Sequence, residues 1–204
     1  KFGRDGFWDM GRKLGTLGAM LRRADVTEVQ IEVTTYRTDA YNPDSRKPEV
    51  AYGDTLEGDL SRRDFTVNAM ALRVPELEFV DPFGGANDLA KGVLRTPVDP
   101  RQSFDDDPLR MMRAVRFVAQ LGFSIEPETA EAMYDMTDRI RIVSAERVRD
   151  ELVKTLLSDR PRAGIEALVD SGLADIVFPE IPALELQIDE HHRHKDVFEH
   201  TMIV

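Results

Sequence analysis

Two different spacings of apolar residues divide the chain. Up to about residue 98 the apolar residues form short alternating runs, as in 29–36 (VQIEVTTY), where Val29, Ile31 and Val33 alternate with polar residues. This alternation predicts half-buried β-strands. Residues 14–21 are predicted to pair with this run as an antiparallel hairpin. Beyond about residue 103 the spacing changes to three and four, which predicts helices and no strand after residue 110.

The first half contains several less regular segments. Residues 38–60 carry Asn-Pro, Lys-Pro and many charges without periodicity, which predicts a long loop with one short helical turn. A helix is expected over 64–72, and a strand from 78 that ends in a turn at Gly84-Gly85. Asp81 and Asp88 are expected to bond backbone amides of that turn. A further strand is predicted at 93–95.

The clearest helix is marked by Ser103, by acidic residues 105–107 and by Pro108 in its first turn. Gly122 is the expected stop. Further helices are predicted at 127–136, 144–158 and 162–171, with Ser144 as a candidate N-cap. The apolar stripe of the first helix comprises Met111, Ala114, Val115, Val118 and Leu121.

Composition narrows the functional classes. The chain has 204 residues, 42% hydrophobic and 32% charged, with no cysteine and a net charge of −11. No apolar run approaches the roughly 18 residues of a membrane span, and no leader peptide is recognisable, so we predict a cytoplasmic protein without membrane contact. The negative charge argues against a generic basic nucleic-acid surface but leaves room for local basic sites. Because residues 201–204 resemble an interrupted element, we expect a fragment.

A polar cluster in RRDFTVNAMAL, residues 62–72, is the first candidate site. Arg62 and Arg63 are suited to a triphosphate, Asp64 to a ribose hydroxyl, and Asn68 would share the helical face of Asp64. The alternative is a structural one, in which Asp64 caps a helix and the arginines are solvated.

A second candidate site is the file of Asp107, Arg110, Arg113 and Arg116, which are spaced three apart. Asp107 and Arg110 together offer the acceptors and donors that reading a nucleobase edge requires. An intrahelical salt bridge on a solvated face explains the same spacing. Further along, Arg147 and Glu151 are expected to form an ordinary ion pair four residues apart.

The histidines form the third candidate. His191, His192, His194 and Asp196 offer imidazole and carboxylate ligands for a divalent metal. A solvated tail or an interface is the alternative, and the spacing does not decide between them.

Four segments occur in the order found in the class II tRNA nucleotidyltransferases, the CCA-adding enzymes and bacterial poly(A) polymerases. RRDFTVNAMAL resembles the family element RRDFTxNA, and DPFGGANDLAKGVLR resembles DxxxGxxDLxxxxIR. DDDPLRMMRAVRF resembles EDxxRxxRxxRF, with Asp106-Asp107 in place of Glu-Asp, and ERVRDEL resembles ERxxxEL. The tail DEHHRHKDVFEHT resembles the opening of the HD-like region of many, particularly actinobacterial, members.

The resemblance implies roles for these residues. Asp107 and Arg110 would contact the Watson–Crick edges of CTP and ATP, and Arg63, Asp64 and Asn68 would surround phosphate and sugar. Family members hold two Mg²⁺ ions on a DxD strand that follows a GGxVRD loop. Neither element is matched here, so the metal pair is assigned to no residue, and Glu32 is the candidate supporting carboxylate. We therefore expect this chain to bind a nucleotide without catalysing transfer.

The predicted architecture is α+β: a partial nucleotidyltransferase head with a small β-sheet (1–98), an all-α neck that recognises the nucleotide (99–158), the start of a helical body (159–190) and the beginning of an HD-like region (191–204). The implied function is template-independent addition of CMP and AMP to the tRNA 3′ end, with a homodimer as a candidate assembly. The alternatives are an HD-type metal-dependent phosphohydrolase and a non-catalytic nucleotide- or RNA-binding remnant.

Overall fold

The structure is a computed structural model. It divides into two compact units, residues 1–62 and 63–204. The backbone is described for residues 7–9, 16–22, 28–40, 49–53, 55–184, 197 and 201–202. The predicted metal ligands His191, His192, His194 and Asp196 lie outside the described residues.

The first unit contains the predicted hairpin as part of a three-stranded antiparallel sheet. Its strands are β1 (Phe7–Asp9), β2 (Thr16–Arg22) and β3 (Glu28–Thr34), in the order β1-β2-β3. The register places Leu17 opposite Val33. Alternation along β3 leaves Glu32 exposed, as predicted. Val33, however, is 60% exposed and Leu17 is 55% exposed, so this end of the apolar face is open.

The prediction of a long loop over 38–60 is wrong where two strands form, whereas its one short helical segment is confirmed. β4 (Arg37–Ala40) pairs antiparallel with β5 (Glu49–Tyr52), and the helix α1 (Leu56–Ser61) follows. Thr55 caps α1, because its side chain accepts the Gly58 N–H at 3.1 Å. The two strands are four residues long and are held by backbone pairing, so they carry too few side chains for a visible period.

The second unit begins with a segment in which the predicted helix over 64–72 is also wrong. Only Thr66–Asn68 is helical, as a 3-10 turn, and the chain then enters β6 (Ala71–Arg73), which pairs antiparallel with β7 (Glu78–Val80). Asp64 Oδ1 accepts the N–H of Phe65 at 2.9 Å. Such a bond competes with the helical backbone pattern, and Phe65 is extended accordingly.

A short helix follows β7, where the sequence predicted a turn. It is α2 (Gly85–Lys91), bounded by Gly84 and Gly92 at φ 73° and 66°. Asp81 accepts the N–H groups of Gly85 and Ala86 at 2.6 and 3.0 Å, which confirms its predicted role. Asp88 differs from the prediction, because its carboxylate bonds side chains and not backbone amides.

The rest of the second unit is mainly helical, as predicted from residue 103 onwards. One strand contradicts the expectation: β9 (Ser124–Ile125) lies beyond residue 110 and pairs in parallel with β8 (Val93–Leu94). Two residues are too few to show an alternation. The remaining elements are α3 (Pro100–Asp106), α4 (Leu109–Leu121), α5 (Pro127–Asp135), a 3-10 turn (Thr137–Ile142), α6 (Ala145–Leu156), α7 (Pro161–Asp170), α8 (Ala174–Val177) and a last 3-10 turn (Pro182–Leu184).

The helix predicted to begin near Ser103 is two helices. Asp107 is extended, at φ −144° and ψ 96°, and separates α3 from α4. Pro108 explains the break, because proline lacks an N–H and disfavours the helical conformation of the residue before it. Ser144 precedes α6 without a side-chain capping bond, so its predicted capping role is wrong.

Helix α4 lies at the centre of the second unit, where it packs against α6 and α7. Met111, Ala114 and Val115 of its predicted stripe are fully buried, whereas Leu121 is 47% exposed. Gly122 ends the helix at φ 69°, as predicted. Among the helices of the described ranges, none is long and apolar enough to cross a membrane.

We predict that Gly85→Ala destabilises the protein. A Cβ at Gly85 would lie 2.1 Å from the backbone oxygen of Thr66, which cannot move aside as a flexible side chain can. Overpacking of this kind costs about 1–3 kcal/mol. Gly58→Ala is the control, since its new methyl would meet only the Thr55 side chain. Equal denaturant midpoints for the two variants would contradict the close approach.

We also predict that the 204-residue chain self-associates through the exposed Leu17–Val33 pair, because exposed apolar sheet surface favours association. Light scattering over a concentration series should show assemblies, and Val33→Lys should shift them towards monomer. Gln30→Lys, at a neighbouring position of β3 facing the other side, is the control. A strict monomer at high concentration argues against this surface.

Candidate nucleotide-binding site

The carboxylate of Asp64 gathers the first group of predicted site residues. Asp64 is 7% exposed, and its Oδ1 accepts the Asn68 Nδ2–H at 3.0 Å in addition to the Phe65 N–H. Its Oδ2 lies 2.7 Å from Nη2 of Arg113, which comes from α4. The structure thus joins Asp64, Asn68 and Arg113, although the helix expected to align Asp64 with Asn68 does not form.

Two polar atoms at this cluster retain bonding capacity. In the described part of the chain, Asp64 Oδ2 and Arg113 Nε are buried without a hydrogen-bond partner. The 2.7 Å ion pair reflects the closeness of the opposite charges without meeting the angular requirements of a hydrogen bond. Buried polar atoms are normally satisfied, so these two are candidates for bonds to a ligand or to water.

Asp107 and Arg110 occupy the break between α3 and α4. The Asp107 side chain is 27% exposed, accepts the Leu109 N–H at 3.2 Å and lies 3.5 Å from Arg147 Nη2. Arg110 is 5% exposed, and its Nη1 donates to Ser103 Oγ at 2.7 Å. The salt-bridge alternative required Arg110 to lie on a solvated face. Arg110 is buried instead. Arg113, which contacts Asp64, follows one turn later on α4.

Arg116 is engaged elsewhere. Its Nε donates to Glu151 Oε2 at 2.5 Å, its Nη1 donates to Gln120 at 2.7 Å, and its guanidinium lies 4.2 Å from the Phe117 ring centroid. The geometry gives no support to its predicted nucleotide contact. The expected Arg147–Glu151 pair is also wrong, because Glu151 bonds Arg116 and Lys154 while Arg147 approaches Asp107.

The protonation of Glu151 follows from these contacts. Burial by itself would raise the pKa of Glu151, but the hydrogen bonds and charges of Arg116 and Lys154 outweigh it and lower the pKa below its ordinary value of 4.5. Glu151 therefore remains ionised at neutral pH and holds α6 against α4.

Two predicted residues belong to the first unit. Arg62 pairs with Asp59 at 2.5 Å, and Glu32 accepts the Gln30 Nε2–H at 3.2 Å. Within the described ranges, no group of three or more His, Asp or Glu side chains is arranged to hold a metal ion. Magnesium stays a prediction for the full-length protein.

A second buried network holds the site segment in place. Asp88 Oδ2 accepts the hydroxyl of Thr66 at 2.6 Å and the Nε and Nη2 of Arg95 at 3.1 and 2.9 Å. The Arg95 carbonyl in turn accepts the Thr66 N–H at 2.8 Å. Phe65 is fully buried and meets the Phe117 ring edge-on, with centroids 5.7 Å apart.

Sequence reasoning did not identify Ser103 as part of the site. In the single helix that the sequence predicts here, residues seven apart would share one face, so the spacing of Ser103 and Arg110 carried a signal even though the structure places them on two helices. The link between Arg116 and Glu151 had no such signal, since the two residues are 35 positions apart on different helices.

The family comparisons agree with the geometry. Residues 4–95 match the model described as "Poly A polymerase head domain". Residues 122–184 match the model described as "Probable RNA and SrmB- binding site of polymerase A".

Curated relatives carry the name CCA-adding enzyme. That of Leuconostoc mesenteroides is 42% identical over 161 residues, covering 78% of this chain and 40% of the relative. That of Bacillus velezensis is 40% identical over 177 residues, covering 86% of this chain and 42% of the relative. This chain thus spans about two fifths of the length of these relatives.

Solved structures show the same likeness. The Bacillus stearothermophilus CCA-adding enzyme in complex with CTP has a TM-score of 0.73 at 34% identity, covering 84% of this chain and 40% of that one. The Thermotoga maritima CCA-adding enzyme complexed with tRNA_CCA has a TM-score of 0.65 at 28% identity, covering 83% and 37%.

The head fold, the ordered motifs and these matches define a class II nucleotidyltransferase. Within that class, the chain belongs to the family of the CCA-adding enzymes and bacterial poly(A) polymerases. The relatives described above come from Leuconostoc and Bacillus and give no support to the actinobacterial affinity predicted from the tail.

We predict that Glu151→Gln destabilises the protein in a pH-dependent way. Because the folded-state pKa of Glu151 is lowered, its charge contributes stability above about pH 4.5 and loses that contribution as the pH falls through the folded-state value. The loss at pH 7 should be about 1–3 kcal/mol, typical of a charge-assisted bond, and should shrink towards pH 3. Urea unfolding of wild type and variant at both pH values measures this difference. Glu76→Gln, at an exposed turn residue, is the control, and a loss independent of pH would contradict the ionic role.

Proposed function

We propose that the Asp64 cluster and the Asp107–Arg110 pair bind and select CTP and ATP in a protein that adds CMP and AMP to the 3′ end of tRNA. The observation that carries this proposal is the pair of buried, unfilled polar atoms, Asp64 Oδ2 and Arg113 Nε. Their polarities suit a sugar hydroxyl and a phosphate oxygen, respectively.

The remaining groups have complementary tasks. Arg63 adjoins Asp64 in the chain and offers its guanidinium to the phosphates, and Asn68 supports the Asp64 carboxylate through its amide. Asp107 and Arg110 supply acceptor and donor groups for a base edge. Together these residues orient the nucleotide so that the tRNA 3′ hydroxyl attacks its α-phosphate and pyrophosphate departs.

The relatives support this choice of ligands. Solved CCA-adding enzymes of this fold are described in complex with CTP, with ATP and with tRNA_CCA. The head and RNA-binding family models match different parts of the chain, which fits a protein that holds a nucleotide and an RNA end. Homodimer formation and a cytoplasmic location stay predictions.

The alternatives are less well supported. An HD-type phosphohydrolase depends on histidines outside the described residues, and neither matching family model describes a hydrolase. A non-catalytic remnant would share the nucleotide site, so nucleotide binding by the 204-residue chain and transfer by the full-length protein must be measured separately.

We predict that Arg110→Lys in the full-length protein weakens nucleotide selection. Lysine keeps the charge but loses the planar fork of donors. The ratio of kcat/KM for CTP over UTP, and for ATP over GTP, should fall about 5- to 150-fold, as expected for a lost base-edge contact of about 1–3 kcal/mol. Incorporation of single nucleotides into tRNA ending before each CCA position measures both ratios.

Arg149→Lys is the matched control, because Arg149 is an exposed helical arginine whose side chain retains 68% of its accessible surface. Its substitution should leave both ratios unchanged. Unchanged ratios in Arg110→Lys would instead refute base reading by Arg110.

A further inference from the structure

Ser103 touches both members of the base-reading pair. Its carbonyl accepts a hydrogen bond from the backbone N–H of Asp107 at 3.2 Å. Its hydroxyl accepts a hydrogen bond from Arg110 Nη1 at 2.7 Å. The same Nη1 lies 3.4 Å from the Ser103 carbonyl. Ser103 is fully buried on α3, whereas Arg110 stands on α4.

These bonds cross a break in the helix. Asp107 is extended and Pro108 follows it, so α3 and α4 are not held together by a continuous helical hydrogen-bond pattern at this point. The hydrogen bond between the Ser103 hydroxyl and the Arg110 guanidinium therefore links the two helices.

One fixed hydrogen bond strongly restricts the orientation of a guanidinium group. Its donors form a rigid planar fork, so anchoring Nη1 restricts the direction of the others. Charge-assisted hydrogen bonds are short and directional, as is the 2.7 Å bond to Ser103 Oγ. Because the bond is buried, water does not offer Arg110 a competing acceptor at this atom.

We propose that Ser103 is a positioning residue for nucleotide selection. It fixes the Arg110 fork relative to Asp107, and its burial implies that it does so without touching the nucleotide. This inference rests on the proposed function, because it requires Arg110 to read a base edge. Alanine at position 103 would remove the hydroxyl acceptor of Arg110 Nη1, whereas threonine would keep it.

The test is Ser103→Ala in the full-length protein, with kcat/KM measured for CTP, UTP, ATP and GTP on tRNA ending before each CCA position. The CTP-over-UTP and ATP-over-GTP ratios should fall about tenfold, since one anchor of the base-edge contact is lost. Ser103→Thr keeps the hydroxyl and should recover selectivity relative to alanine, even if its extra methyl lowers the Tm.

Ser171→Ala is the matched control. Ser171 is also a buried serine, 7% exposed, and its hydroxyl donates to the Leu168 carbonyl at 3.1 Å. This variant should lower the Tm without changing either ratio, which separates general destabilisation from loss of positioning.

The outcomes distinguish the two proposals. A wild-type protein that incorporates the four nucleotides without preference overturns the proposed function. A selective wild type whose ratios fall in Arg110→Lys but not in Ser103→Ala overturns only the role of Ser103. An equal loss of kcat/KM for all four nucleotides in Ser103→Ala shows a structural role and also overturns the inference.

Discussion

The buried charge of Asp64 is the constraint on which the second unit depends. A carboxylate removed from water is costly unless charges and hydrogen bonds compensate it. Asp64 is compensated by a backbone amide, by Asn68 and by Arg113 of the central helix. Only the Asp64 side of this pair is buried, because the Arg113 side chain is 37% exposed, so loss of Arg113 would leave a buried carboxylate held by neutral donors alone. The charge that suits a ligand therefore also ties the segment around residue 64 to α4.

Burial of the flanking residues makes that arrangement rigid. Phe65 enters the core beside the carboxylate, and Thr66 is held by Asp88, which also receives two bonds from Arg95. Polar networks in a low-dielectric interior are strong when every member is satisfied. The Asp88 network has internal partners, whereas two atoms of the Asp64–Arg113 pair do not. This contrast distinguishes the Asp88 network, which is satisfied internally, from the Asp64–Arg113 pair, where we propose that a ligand binds.

The sequence predicted those elements whose side chains follow a long, regular period. The β2–β3 hairpin, α4 and the later helices have enough residues for alternation or helical spacing to be visible. The short strands were not predicted, because they depend on backbone pairing and show no period: β4 and β5 have four residues each, and β9 has two. The helix predicted from Asp64 to Leu72 is wrong for a different reason: the Asp64 side chain bonds the N–H of Phe65, which is extended, and the chain enters β6 soon afterwards.

The candidate site was likewise predicted only in part. Motif order identified Asp64, Asn68 and Arg113, and the structure joins them through contacts across 49 positions of sequence, from 64 to 113. The spacing of Asp107 and Arg110 suggested a shared helical face, but Asp107 is extended and ends α3. Pro108 imposes this break, which takes Asp107 out of the helix and leaves its carboxylate to accept the Leu109 N–H. In an uninterrupted helix the Leu109 N–H would bond the backbone carbonyl four residues earlier, and the Asp107 side chain would follow the helical direction. At this break a backbone bond from Leu109 orients the Asp107 side chain, and a bond to Ser103 orients the Arg110 side chain. Two different anchors therefore determine the geometry that a base edge would meet.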